Sequence, residues 1–257
     1  MLVGNARGRQ DVAGSRNGAR LHAFGSEQYT CRLMSSRIGV FSSSVGTKIL
    51  IGVTGVALFL YLVIHIAGNL IVFLGPAAFN RYAFVLEYGN PLLPVIEIGL
   101  LLIFLLHVYK TVTMFLANQE ARPVAYVKKK YAGKPSRKSF ASSTMIFSGL
   151  WLLFFIIIHV KAFRFSPEYP WPAGGRDLYR QEMENFVSPL TAGFYVLSMV
   201  VVGSHLWHGV ASALQSLGAD HPKWTPRLLT TGKVIAVLMA GGFIVIALWA
   251  HFVGARA

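Results

Sequence analysis

Residues 143–165 read STMIFSGLWLLFFIIIHVKAFRF, and this stretch decides the class of the protein. It contains no acidic residue, its two basic residues stand near its end, and one histidine interrupts its apolar part. About 20 apolar helical residues cross a hydrocarbon core of about 30 Å, where only a helix or a closed barrel satisfies the backbone. The stretch lacks the apolar–polar alternation of a barrel strand, so it predicts a transmembrane helix.

Four similar stretches predict an all-α membrane protein with five transmembrane helices. The five lie near residues 48–74, 92–118, 143–165, 189–217 and 231–254. Apolar residues make up 54% of the chain and charged residues 13%, whereas a soluble domain carries about 25% charge. This composition excludes a soluble enzyme. The single Cys31 excludes an intrachain disulfide, a CxxC zinc site and covalent haem attachment through CxxCH.

The basic residues between the spans predict the orientation. Lys and Arg number 24 against 10 Asp and Glu, a net charge of +14 that would suggest nucleic acid in a soluble protein. Here the excess lies before the first span and in the second and fourth connections, whereas the first and third connections are nearly balanced. The positive-inside rule places the N-terminus in the cytoplasm and the C-terminus outside, and we expect no nucleic-acid partner.

The chain before the first span differs from the rest. Residues 1–36 are rich in Gly, Arg and Ser and lack an apolar run of signal-peptide length, so we expect a disordered basic tail. The membrane domain then covers residues 37–257. Met34 opens MSSRIGVFSSSVGTK and is an alternative start, in which case the residues before it are not translated. No internal repeat is evident beyond the alternation of spans and loops.

Histidine is rare inside membranes because its polar ring needs a partner there. Each of the first four predicted helices nevertheless carries one, and the fourth carries a second: His65, His107, His159, His205 and His208. With cores of comparable length, each of the first four histidines lies fifteen residues, or about 22 Å, from its helix start. Since alternate helices run in opposite directions, His65 and His159 share an outer level. His107 and His205 share an inner level roughly 14 Å away.

Two facing imidazoles at one depth can supply both axial ligands of a haem iron. The two levels therefore predict two bis-histidine haems b. Zinc needs four converging ligands, or three and a water, and fits two separate pairs poorly. A proton relay normally adds buried carboxylates, of which only Glu97 is clearly available.

The surroundings of these histidines are compatible with a macrocycle. Thr47, Thr54 and Tyr61 recur every seven residues and form a polar stripe on the His65 face of the first helix. Several glycines leave space near the histidines, although close helix packing explains such glycines equally well. They are Gly52, Gly55, Gly68, Gly203 and Gly209.

The order of these residues resembles the diheme cytochrome b membrane anchor of succinate dehydrogenase or fumarate reductase (complex II), in its single-chain, five-helix type. The resemblance covers about residues 35–254. It rests on SSSVGTK before the first helix, HIAGNL from His65, His107 in LLHVYKT, His159 in IIIHVKAFRF, and HLWHG from His205 followed by VASALQSLG.

The resemblance implies that His65, His107, His159 and His205 are the axial ligands. His205 is favoured over His208, which lies one turn nearer the cytoplasm, where a haem propionate or a quinone needs a donor. The implied function is electron transfer between a membrane quinone (menaquinone or ubiquinone) and an iron–sulfur subunit that adjoins a flavoprotein. The implied location is the bacterial cytoplasmic membrane, with a higher oligomer of the complex also allowed.

Weaker candidates lie at the helix ends. Glu97 is a candidate for proton exchange with quinol, or an interfacial carboxylate. Ser44 and Lys48, with Ser43, are candidates for contacts to haem propionates or quinone, against N-capping and a snorkelling lysine.

At the predicted outer face, the candidates are loop and helix-end residues. Glu87 and Tyr88 either edge a quinone site or belong to an ordinary loop. Lys161 and Arg164 either pair with propionates or snorkel, and His251 is most simply interfacial.

Two other functions stay open. One is a diheme cytochrome b that serves a hydrogenase or formate dehydrogenase. The other is a haem-free transporter in which the histidines are structural.

Overall fold

The computed structural model describes residues 43–121, 140–166, 169–219 and 221–254. The predicted tail at 1–36, the alternative start and the basic run at 128–130 lie outside these residues. The described chain is helical: α1 Ser44–Asn69, α2 Pro76–Tyr88, α3 Leu93–Glu120, α4 Phe140–Ser143, α5 Met145–Arg164, α6 Leu178–Val187, α7 Pro189–Ser216 and α8 Thr225–Gly254. A 3₁₀ segment, Leu70–Leu74, extends α1.

Five of these helices are long and apolar enough to cross a membrane, which confirms the predicted five-helix, multi-pass architecture. They are α1 with its 3₁₀ extension, α3, α5, α7 and α8. Much of their apolar surface faces outward, and α3 has no buried residue in the isolated chain. Outward-facing leucines and valines on helices of this length suit a lipid environment, where exposed apolar side chains cost nothing.

The helices extend beyond the predicted spans where their first turns are polar. The first helix begins at Ser44 rather than near 48, because the Ser43 side chain accepts a hydrogen bond from the Gly46 N–H at 3.0 Å and caps it. The fifth begins at Thr225 rather than near 231, and Pro226 fits its first turn, where no N–H partner is needed. Hydropathy alone misses such turns because they carry polar or charged residues.

Helix α7 lies at the centre of the bundle. It packs against α1, α5 and α8, while α3 packs mainly against α1. Helices α7 and α8 approach each other closely, since a Cβ built on Gly203 would lie 2.9 Å from Ala240 Cβ. We call the end of the bundle where α1 begins the lower end, and the end where α2 and α6 lie the upper end.

Two short helices cover the upper end, where sequence reasoning expected loops. Glu87 and Tyr88 lie on the last turn of α2, so their interpretation as part of an ordinary loop is wrong. Fully buried Asn80 of α2 donates to Asp177 Oδ1 at 2.7 Å, and its own Oδ1 accepts from the Tyr179 N–H at 2.8 Å. These bonds tie α2 to the start of α6.

Arg176 fastens the same cover to the spanning helices. Its buried guanidinium lies 3.2 Å from Glu87 Oε1 and donates to the Phe163 carbonyl at 2.8 Å and to Gln181 Oε1 at 2.9 Å. Gln181 in turn donates to the Ala162 carbonyl at 3.0 Å. The last turn of α5, whose terminal carbonyls lack partners within the helix, is therefore satisfied by side chains from the cover.

Candidate functional site

The predicted outer histidines meet near the upper end. The ring centroids of His65 on α1 and His159 on α5 are 5.8 Å apart, and the ring planes stand at 87° to each other. A metal–imidazole nitrogen bond is about 2 Å long, so two rings on one iron stand roughly 6 Å apart, centre to centre. The pair therefore fits two axial ligands of one metal. We call it the upper pair.

Aromatic side chains surround the upper pair. Tyr61 stacks on His65 from the preceding turn at 5.5 Å and 16°, and Phe155 stacks on His159 in the same way at 5.5 Å and 26°. Phe243 of α8 lies 5.8 Å from the His65 ring, and Phe163 lies 5.1 Å from the His159 ring. The upper pair thus lies among aromatic side chains of its own and neighbouring helices.

The second ring nitrogens of the upper pair have long contacts. Asn69 Nδ2 lies 3.4 Å from His65 Nδ1 while it donates to the His65 carbonyl at 2.7 Å. The Tyr195 hydroxyl of α7 lies 3.5 Å from His159 Nδ1. Both separations are at the outer limit of a hydrogen bond, so they orient the rings weakly.

The predicted inner histidines lie toward the lower end and have short polar contacts. Thr54 Oγ1 of α1 lies 3.0 Å from His107 Nδ1 on α3, and Ser148 Oγ of α5 lies 2.9 Å from His205 Nδ1 on α7. Thr54 and Ser148 each stand eleven residues before the upper histidine of their own helix. His107 and His205 therefore share one level about 16 Å below the upper pair.

His107 and His205 lie at this shared level on α3 and α7, and we call them the lower pair. Eleven residues of helix rise separate the two pairs by about 16 Å. This is close to the roughly 14 Å expected from depth alone. His208 also lies within electrostatic range of His205 and is half-buried. His208 lies one turn nearer the lower end than His205, as expected from the sequence.

Helices α1 and α5 carry the same arrangement of residues around these sites, although no repeat was evident in the sequence. Thr54-Gly55, Tyr61 and His65 of α1 correspond to Ser148-Gly149, Phe155 and His159 of α5 with equal spacing. Sequence reasoning missed Ser148, Gly149 and Tyr195. The signal that could have found the first two is a hydroxyl residue and a glycine placed eleven and ten residues before each upper histidine.

The glycines serve two purposes. Gly52 faces the Ala213 carbonyl of α7 and Leu217 just after that helix, Gly68 faces Tyr82 and Gly203 faces Ala240, so these three permit close packing. Gly55 instead faces a histidine: a Cβ there would lie 3.3 Å from His107 Cε1. Around Gly209 the nearest atom, Met145 Cε, would be 3.9 Å away.

The charged candidates at the upper end are engaged in ion pairs or exposed. Glu97 Oε1 lies 3.4 Å from Arg164 Nε, and both side chains are about half exposed, which agrees with an interfacial ion pair. Lys161 is exposed, and His251 Nδ1 lies 2.8 Å from the Phe186 carbonyl. At the lower end, Ser44 and Lys48 are exposed, and the neighbouring Ser43 caps α1.

One acidic group of the upper cover is nearly inaccessible to water. Glu182 of α6 is 4% exposed, and burial raises the pKa of its carboxyl to about 8. The same helix carries exposed Glu184, whose pKa is lowered by hydrogen bonds from Tyr169 and then Arg180. Glu182 is therefore a neutral carboxylic acid at pH 7, whereas Glu184 is charged.

The pairs differ from a zinc site. Within the residues that the structure describes, no three His, Cys, Asp or Glu side chains come together as metal ligands. A planar group bound from both faces by two imidazoles suits this donor set, because it needs only two protein ligands at each level.

Comparison with known proteins found no matching family model, no matching curated protein and no matching solved structure. The chemistry of the site therefore has to be argued from its own residues.

Proposed function

We propose that this chain is the membrane-anchor cytochrome b subunit of a succinate:quinone oxidoreductase. In this proposal the upper pair and the lower pair each hold one haem b. The observation that carries the proposal is histidines at two levels of one apolar bundle, with the upper rings at a separation close to that of two ligands on one iron. Bound haem would supply reversible one-electron transfer between quinone in the membrane and an iron–sulfur protein.

The chain's own residues have defined tasks in this function. His65 and His159 bind at the upper level, and His107 and His205 bind at the lower level. The stacked Tyr61 and Phe155 surround the upper pair with aromatic side chains. A dry, low-dielectric surrounding is one of the means by which a protein sets a redox potential.

The lower end faces the cytoplasm in this proposal, which the positive-inside rule supports. Lys48, Lys223, Arg227 and Lys233 belong to the lower end among the described residues. The iron–sulfur subunit, with the flavoprotein that acts on succinate or fumarate, would dock there, in the cytoplasmic membrane of a bacterium. The lower pair is then the pair nearer to the docked partner.

The half-exposed ion pair of Glu97 with Arg164 favours an interfacial role for Glu97 over a buried proton carrier. The described spans therefore contain no buried carboxylate of the kind that a haem-free, proton-coupled carrier would need. This observation favours the cytochrome over the transporter. A diheme cytochrome b that serves a hydrogenase or a formate dehydrogenase would use the same pairs and differ in its partner.

The test is purification of the complex in mild detergent from cells that express the tagged full chain. Haem is quantified per chain, and copurifying proteins are identified by mass spectrometry. We expect two haems b per chain together with an iron–sulfur protein and a flavoprotein. An assembled chain without haem would refute the cytochrome, and two haems with a different dehydrogenase would refute the partner assignment alone.

A further inference from the structure

The two histidines of the lower pair are approached in the same way by a neighbouring helix. Thr54-Gly55 of α1 meets His107, and Ser148-Gly149 of α5 meets His205. The hydroxyl contacts Nδ1 in both cases, and the glycine that follows it faces Cε1 of the same ring. Two independent copies of one contact, on two helix pairs, indicate a built arrangement rather than a chance one.

The hydrogen bonds of each hydroxyl group to its own helix bear on whether the hydroxyl or the histidine is the donor in the contact between them. Thr54 Oγ1 donates its single proton to the Leu50 carbonyl, 2.7 Å away in its own helix. Ser148 Oγ donates to the Met145 carbonyl at 3.0 Å. When the hydroxyl donates its single proton to the backbone carbonyl, its oxygen accepts from the histidine, and Nδ1 of that ring then carries a hydrogen.

Gly55 allows the close approach to His107, whereas a Cβ at position 149 would make an ordinary contact with His205. A Cβ at position 55 would lie 3.3 Å from His107 Cε1, closer than side chains normally pack, and one at position 149 would lie 3.7 Å from His205 Cε1. A glycine within a helix costs about 1 kcal/mol relative to alanine. At position 55, the close contact of the His107 ring with α1 is the compensating gain.

We propose that Thr54 and Ser148 are positioning residues that hold His107 and His205 in the tautomer protonated at Nδ1, which leaves Nε2 of each ring as the nitrogen that binds a metal. What Nε2 binds rests on the proposed function; the tautomer does not. A hydrogen bond donated by Nδ1 also makes Nε2 of the same ring a stronger ligand. The upper pair lacks this support, because an amide nitrogen and a distant phenol contact its Nδ1 atoms.

The first experiment needs no haem. The full chain is labelled with ¹⁵N-histidine, prepared without haem in detergent, and its imidazole nitrogens are observed by NMR, with His107→Ala and His205→Ala for assignment. We expect a protonated Nδ1 and an unprotonated Nε2 for both lower rings. Thr54→Val should abolish this preference at His107 alone, and Thr54→Ser should restore it. Protonation at Nε2 in the unaltered chain would overturn the proposal.

The second experiment uses the haem-loaded complex. Thr54→Val and Ser148→Ala should each weaken haem binding at the lower level by about 10–100-fold. They should also raise the midpoint potential of the haem retained there, because the imidazole becomes a weaker donor. Thr54→Ser and Ser148→Thr should restore both properties, and the upper haem should be unaffected throughout.

A matched control is Thr113→Val on α3. Its hydroxyl also donates to carbonyls of its own helix, those of Tyr109 and Lys110. It should change neither haem affinity nor potential. A lower haem of unchanged affinity and potential in Thr54→Val would refute the positioning role, while the proposed cytochrome would stand. A colourless complex with the expected tautomers would refute the cytochrome and leave the positioning role intact.

Discussion

The upper and lower histidine pairs present the same two imidazoles in two different ways. The lower rings are oriented by short hydrogen bonds with hydroxyl groups, at 3.0 and 2.9 Å. The upper rings are enclosed by stacked aromatic side chains, and their polar contacts are long, at 3.4 and 3.5 Å. Directional hydrogen bonds therefore hold the lower rings, whereas packing against aromatic side chains holds the upper rings.

The difference follows from the position of each pair in the bundle. At the lower level, helices α1 and α5 each carry a small hydroxyl residue followed by a glycine. The histidine rings of α3 and α7 therefore lie close to these helices. At the upper level the same helices carry Tyr61 and Phe155, which fill the space with rings instead. The covering helices α2 and α6 then close that end with a polar network around Arg176.

The largest expected effect is loss of one of the two proposed haems when one pair is broken. His65→Ala should remove the upper haem and leave the lower one, and His107→Ala should do the reverse, because the pairs share no ligand. Haem quantitation and the reduced absorbance spectrum measure both results. Exposed His221 provides the control, since His221→Ala should keep both haems. Loss of both haems in each single variant would show that the two levels are not independent.

Glu182→Gln should make the upper end less sensitive to pH. The carboxyl has a pKa of about 8 in the folded chain against 4.5 in a solvated one, so the folded state holds its proton more tightly. The stabilisation from this group is complete below about pH 4.5 and is lost as the pH rises toward 8. By pH 7 the loss amounts to about 3 kcal/mol, which the neutral glutamine avoids.

Thermal unfolding in detergent between pH 4.5 and 8 measures this effect. The variant should be the more stable protein at pH 7, with the gap closing toward pH 4.5. Glu184→Gln on the same helix is the control and should give no stabilisation at pH 7, because the Glu184 pKa is lowered rather than raised. A gap that stays constant across the pH range would show that Glu182 is ionised in the folded protein.

The smallest expected effect tests the aromatic packing around the upper pair directly. Phe155→Leu removes the stacked ring from His159 but keeps an apolar side chain, and aromatic pairs contribute about 1 kcal/mol beyond their buried area. We expect destabilisation of about that size and a shifted midpoint potential for the upper haem only. Phe147→Leu, at a position that is 69% exposed, should change neither property. A shift of the lower haem in Phe155→Leu would contradict separate control of the two levels.

The features predictable from the sequence are those that depend on position along a helix. The five long helices follow from five apolar runs, and counting residues from the helix starts paired His65 with His159. The rings of these two residues meet in the structure. The counting needed no knowledge of packing, because a helix rises by a constant 1.5 Å per residue.

The covering helices were missed for a different reason. Helices α2 and α6 are too short and too polar to give a hydropathy signal, and they are held by side-chain bonds such as that between Asn80 and Asp177. Those partners are far apart in sequence. Local periodicity therefore predicted loops where tertiary hydrogen bonds support helices.

The sequence by itself determined the number of spanning helices, the height of each histidine and the apolar character of the surroundings. Only the tertiary structure decided which residues of neighbouring helices contact each ring: Thr54 and Ser148 below, Tyr195 above. The physical reason is that residue count gives height along a helix axis, whereas contact between helices also depends on the rotation of each helix and the angle at which it crosses its neighbour. Those two quantities arise from the packing of the whole bundle, in which Gly52, Gly68 and Gly203 set how closely their neighbours approach.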